Sequence, residues 1–158
     1  MEKQGKIKVV FVCYGNICRS TMAEFMFSDM IKKRGKENLF EVSSRATSDE
    51  EEGNPVYYLA AQTLTSHGIP FSASKRAQPL SRAECDAADY LICMDSNNLS
   101  CVRALAGEKN RDKARLLLSF AGENASVSDP WWTRDFEKAY EDIERGIKAF
   151  LIFLGEDK

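Results

Sequence analysis

Along the chain, four short apolar runs alternate with longer stretches in which apolar and polar residues recur at helical spacing. Ile7–Cys13 (IKVVFVC) predicts a buried strand. A helix is expected from Ser20 to Lys33, with Met22, Phe25, Met26 and Met30 on its apolar face and Thr21 and Glu24 at capping-box spacing. A shorter strand is expected at Phe40–Ser43, then an acidic loop from Ser48 to Asn54. Pro55 suits the first turn of a helix that runs to Ser66 and stops at His67-Gly68. Tyr90–Met94 predicts a third strand, Ser96–Ala106 a helix ended by Gly107, and Arg115–Phe120 a fourth strand. After a loop holding Asp129-Pro130-Trp131-Trp132, a last helix is expected over Thr133–Leu154, with Phe136, Tyr140, Ile143, Ile147, Phe150, Leu151 and Leu154 on its apolar side.

Strand–helix alternation of this kind implies a parallel sheet covered on both faces, an α/β fold. Such sheets bind ligands at the carboxyl ends of their strands. Cys13 ends the first strand and Asp129 follows the fourth, so both are expected in one crevice. No repeat or linker divides the 158 residues, and the expectation is one domain over 1–158. The net charge of −2 and the lack of a basic run leave no electrostatic footprint for nucleic acid. No apolar stretch is long enough for a bilayer, so no membrane role is expected. The N-terminus has basic residues before an apolar run, but Ile7–Val12 is interrupted by Lys8 and is too short for a signal peptide. The reading is cytoplasmic. The odd count of five cysteines agrees with a reducing compartment. With no CxxC pattern and one histidine, His67, no metal or cofactor is expected.

Cys13, five residues and Arg19 form the one suggestive chemical spacing. The spacing alone is weak, since ten arginines in the chain make such a match at one of five cysteines roughly 30% probable by chance. Its context is informative. A loop that turns from strand into helix can converge its amide N–H groups on one anion; Gly15 offers a positive φ and Asn16 tolerates one. The helix beyond it would aim its positive end at the same point. That end and a neighbouring arginine favour the thiolate of Cys13, the nucleophilic form. Arg19 can grip two phosphoryl oxygens with its planar fork, and the Ser20 hydroxyl can donate to the departing thiolate. The alternative is a pair of buried structural cysteines, Cys13 and Cys18, beside a solvated arginine.

A thiolate that expels an alkoxide or phenoxide needs an acid, and later a base to activate water. With no histidine in the loop the candidate is Asp129, whose backbone Pro130 restricts; Trp131 and Trp132 would wall the cleft. Equally, Asp-Pro can start a turn and the tryptophans can anchor the core.

VCYGNICRS closely resembles the signature V-C-x-G-N-I-C-R-S of the low-molecular-weight protein tyrosine phosphatases. The resemblance extends through 42–48, Gly53-Asn54-Pro55, His67-Gly68-Ile69, 89–95 and Asp129-Pro130, nearly the whole chain. It implies a three-layer αβα fold of the phosphotyrosine phosphatase I-like kind with a four-stranded parallel sheet. It implies Cys13 as nucleophile, Arg19 as phosphate clamp, Asp129 as acid then base, and a phosphate-binding loop of Tyr14, Gly15, Asn16, Ile17, Cys18 and Ser20. Catalysis would proceed through a phosphocysteine without metal. Substrates would be phosphotyrosine proteins or small aryl phosphomonoesters, and inorganic phosphate and other oxyanions would inhibit. Cys18 matches a second loop cysteine that in this family can form a reversible disulfide with the nucleophile, which would protect Cys13 from irreversible oxidation; packing the loop base is the other reading.

The chain also departs from the family. Thr21 stands where proline is usual, Trp131-Trp132 replaces tyrosines of some members, and a histidine after His-Gly-Ile is missing, with Ala73 or Ser74 in its place. Asp49-Glu50-Glu51-Glu52 occupies the loop where many members carry an aromatic residue. Lining the mouth, this run, Glu50 included, would repel acidic peptides and leave ring stacking to Tyr14 and Trp131; otherwise it is a solvated loop. A thiol-dependent arsenate reductase on the same fold is the rival enzyme, and its disulfide relay would need Cys85 and Cys93. A non-catalytic oxyanion-binding module is the other rival, but binding alone needs neither Cys13 nor Asp129.

Overall fold

The computed structural model describes residues 5–155. Of the N-terminal stretch weighed above as a leader, 1–4 lies outside the described residues, as does 156–158. Four strands, β1 (Ile7–Cys13), β2 (Phe40–Ala46), β3 (Tyr90–Cys93) and β4 (Ala114–Leu116), form one parallel sheet in the order β2-β1-β3-β4. β1 lies in the interior of the sheet, so its residues are buried on both faces and can be nearly all apolar. Val9, Phe11 and Cys13 point into one core with α1 (Arg19–Lys33), α2 (Tyr58–Ser66) and α6 (Phe136–Leu154). Val10 and Val12 point into a second, smaller core under α3 (Arg82–Ala87) and α4 (Ser96–Asn110). The period of two along β1 therefore builds a three-layer αβα sandwich. Phe27 stacks edge-on against both Phe11 and Phe40 at the centre of the larger core.

Several boundaries differ from the sequence expectation. No capping box forms at Thr21 and Glu24, because α1 begins earlier, at Arg19; the Thr21 hydroxyl donates to the carbonyl of Cys18. The face of α1 also centres on Met22, Ala23, Met26, Phe27 and Ile31, with Phe25 and Met30 at its margin. Pro55 precedes α2 rather than entering it: residues 54–57 lie outside helix and strand, and Tyr57 N–H donates to Ile17 O at 2.9 Å. β2 continues to Ala46. The expected fourth strand stops at Leu116. As an edge strand with one partner it has little to hold it, and Leu117–Ala121 coils into a 3-10 turn that buries Leu117 and Leu118.

Gly107, φ 77°, interrupts α4 where the helix was expected to end, but helix resumes beyond it to Asn110. The last helix is divided: α5 (Pro130–Thr133) ends at Arg134, φ 62°, before α6 begins. α3 was not anticipated, although Ser81 and Glu84 form a full capping box at its start, a signal legible in the sequence.

Candidate active site

The loop between β1 and α1 turns on Asn16, whose φ is 59°. Gly15 does not take the positive φ expected of it. It sits close to the Glu51 side chain: a Cβ there would meet Cγ of Glu51 at 3.3 Å, a tight contact that a small shift of that side chain relieves. Asn16 is buried and fully used: its Nδ2 donates to Ser20 Oγ at 2.8 Å and Ser44 Oγ at 2.9 Å, and its Oδ1 accepts from Gln78 N–H at 3.2 Å. The Ser20 oxygen, which accepts from the Asn16 amide, also accepts from the Cys13 thiol, whose Sγ is 3.0 Å away. The Asn16 N–H lies 3.3 Å from the same sulfur. Behind this, Ser44 Oγ donates to Glu24 at 2.5 Å, and Lys75 Nζ sits 3.4 Å from Glu24 while donating to Ser44 O at 3.0 Å. Burial pulls the Lys75 ammonium below the ordinary lysine value, against the pull of Glu24. Cys18 occupies the N-cap of α1 without a side-chain cap, which leaves the helix's positive end facing the loop.

Arg19, 3% exposed, is not the solvated charge of the bland alternative. Its Nη1 donates to Val127 O at 3.1 Å, and its Nη2 lies 2.9 Å from Asp95 Oδ2 and 3.4 Å from Asp129 Oδ2. Those three partners come from the ends of β3 and the loop before α5, so the guanidinium plane is fixed by chain segments far apart in sequence. Asp95 was not singled out in the sequence. It caps α4 through Oδ1, which accepts from Asn98 N–H at 2.8 Å, while Oδ2 turns to Arg19. Its position at the carboxyl end of the strand next to β1 was the available signal.

A cavity of about 580 Å³ opens at the loop, with Cys13, Cys18, Arg19 and Asp129 among its lining residues. Tyr14, Trp131 and Trp132 line it too, as do Glu50 and Glu51, so half of the acidic run faces the cleft and is not merely solvated. A hydrogen bond to Glu50 raises the Tyr14 hydroxyl above its ordinary value and ties the two residues at the rim. Trp131 stands edge-on to Tyr57, whereas Trp132 is 79% exposed and shields little. Asn16 and Ser20 lie beneath the cavity rather than lining it; Gly15 and Ile17 line it, as does Asn97, which the sequence reading missed. Among the lining residues Arg19 is the one cation, facing Glu50, Glu51, Asp95 and Asp129.

Cys13 and Cys18 are both buried free thiols, and burial holds the Cys18 thiol far above its ordinary value. Cys85 and Cys93 belong to the core on the other face of the sheet, and burial raises both thiols. That placement gives no relay to Cys13. Among the described residues, no three His, Cys, Asp or Glu side chains group as a metal site, and no helix is long and apolar enough to cross a membrane.

Residues 8–158 match the family model described as low molecular weight phosphotyrosine protein phosphatase. The chain is 35% identical over 154 residues to the low molecular weight protein-tyrosine-phosphatase YfkJ of Bacillus subtilis, covering 96% of this chain and 98% of that one. It is 34% identical over 156 residues to the human low molecular weight phosphotyrosine protein phosphatase, with 96% and 98% covered. The crystal structure of YfkJ superposes with a TM-score of 0.92 over 99% of each chain.

Proposed function

The chain belongs to the low molecular weight phosphotyrosine protein phosphatase family, and on that premise we propose that Cys13, Arg19 and Asp129 divide the phosphatase reaction among them. One observation carries this reading: Arg19, next to the Cys13 loop, reaches Asp129 inside one cavity although 110 residues separate them.

In the first step the Cys13 thiolate attacks phosphorus in line with the ester oxygen. The S–P bond forms as the P–O bond breaks, and the Asp129 carboxylic acid gives its proton to the departing phenoxide. In the second step the Asp129 carboxylate takes a proton from water, the resulting oxygen nucleophile attacks phosphorus, and the S–P bond breaks. The Ser20 O–H supports the thiolate that leaves, and Arg19 with the loop amides holds the equatorial oxygens throughout. Inorganic phosphate and related oxyanions would bind the same loop as inhibitors. Glu50, Trp131 and Trp132 would meet what flanks the phosphoryl group, and Glu50 with Glu51 would disfavour acidic peptides. Cys18 would serve as redox partner of Cys13, and the five free thiols suit a reducing, cytoplasmic compartment.

Steady-state hydrolysis of p-nitrophenyl phosphate, with and without chelator, tests the core of this reading. Wild type should turn over in both conditions and Cys13→Ser in neither; full activity of Cys13→Ser would sink the nucleophile assignment.

A further inference from the structure

The segment carrying Asp129 has no regular structure of its own: residues 123–129 lie in neither helix nor strand. Its shape is nevertheless imposed from below by one face of α6. Asp142, 3% exposed, accepts the backbone N–H of Ser128, the residue before Asp129, on Oδ2 at 2.9 Å. Its Oδ1 accepts from Lys138 Nζ at 2.8 Å and from Arg145 Nη2 at 3.3 Å. Arg145 then reaches the far end of the same segment, donating from Nε and Nη2 to the two oxygens of Glu123 at 2.6 and 3.0 Å. Lys138, Asp142 and Arg145 stand four and three residues apart, so they share one side of the helix. Both ends of the irregular segment are thereby tied to neighbouring turns of α6 through a single buried carboxylate.

We propose that Asp142 is a positioning residue for Asp129: by accepting the Ser128 N–H and gathering Arg145 onto Glu123, it sets where the Asp129 carboxyl stands against the leaving group. The proposal rests on the acid–base role assigned to Asp129 above. Val127 is fixed independently, since its N–H donates to Met94 O at 2.8 Å and its carbonyl accepts from Arg19. Asp129 itself is held by the Trp131, Trp132 and Thr133 N–H groups and by Arg19, and Asp142 fixes the peptide that joins it to Val127. Burial disfavours charge on Asp142, but Lys138, the Ser128 N–H and Arg145 outweigh it and hold the carboxyl below its usual value, so the acceptor is ionised at neutral pH. A displacement of about 1 Å in a catalytic group costs on the order of 10²-fold in rate, which sets the scale expected for losing this tether.

The test is a double-mutant cycle on kcat/KM for phenyl phosphate, whose poor leaving group depends on the acid. Asp142→Ala should lower kcat/KM by about 10- to 100-fold while the inhibition constant of inorganic phosphate stays within about twofold. In the Asp129→Asn background the same substitution should cost no more than about threefold, because the group it positions is already inert. Equal losses in the two backgrounds would overturn the proposal, as would an unchanged rate for Asp142→Ala. If Asp142→Ala does not fold, Asp142→Asn enters the same cycle, since it keeps the side-chain volume and removes the charge that gathers Lys138 and Arg145. Full activity of Asp129→Asn by itself would instead show that the acid–base assignment has failed.

Discussion

Nη2 of Arg19 lies 3.4 Å from Oδ2 of Asp129, and 2.9 Å from Oδ2 of Asp95. One guanidinium thus joins the Cys13 loop to the segment bearing Asp129. A bound phosphoryl group offers the same cation a bidentate partner, so the proposed substrate would compete with Asp129 for Arg19.

Asp129→Asn keeps the size of the side chain and its acceptor for the Trp131 N–H, but it has no proton to exchange. Turnover of p-nitrophenyl phosphate should fall by roughly 10²–10⁴-fold, and inhibition by inorganic phosphate should be largely retained. A matching loss in both quantities would mean that Asp129 serves binding and not proton transfer.

Asn16→Ala leaves a non-glycine residue at φ 59° without the local hydrogen bonds that compensate it, and strips partners from Ser20, Ser44 and the Gln78 N–H. A cost of about 2–4 kcal/mol is expected from the left-handed backbone and the unpaired buried groups. For a domain of this size that corresponds to a fall in Tm of roughly 5–15 °C, readable by calorimetry. Turnover per folded molecule should drop as well, since Ser20, in contact with the Cys13 sulfur, loses the amide that orients it.

Glu50→Gln combined with Glu51→Gln should leave p-nitrophenyl phosphate turnover within about twofold and raise kcat/KM for a phosphotyrosine peptide with acidic neighbours by roughly two- to fivefold. The gain should shrink at about 1 M salt, where the screening length is only about 3 Å. An unaltered preference between acidic and basic peptides would remove Glu50 and Glu51 from substrate selection.

Gly146→Ala probes the packing of α6 on the turn after β4, where an added Cβ would stand 2.4 Å from Cγ of Leu117. Overpacking there should cost about 1–3 kcal/mol, lowering the urea midpoint while the slope is unchanged. Gly146→Ala paired with Leu117→Ala should recover part of that loss, because the new methyl then enters the space left by leucine.

The sequence by itself determined β1, the parallel α/β class and the strand–turn–helix that brings Cys13 and Arg19 to one loop. These are local: a central strand must be apolar on both faces, and a strand–turn–helix with fixed spacing carries its own geometry. The early start of α1, the early end of β4 and the split before α6 were not legible, because they depend on what each end packs against and not on propensity alone. Tertiary structure alone decided the rest of the site. Asp95 enters it because β3 pairs with β1, placing a helix cap beside Arg19. Gly15 comes close to Glu51, and Asp142 faces Ser128 because α6 passes under a segment with no structure of its own. Each of these relations joins residues far apart in the chain, and no spacing along the sequence records a contact made only when the layers close.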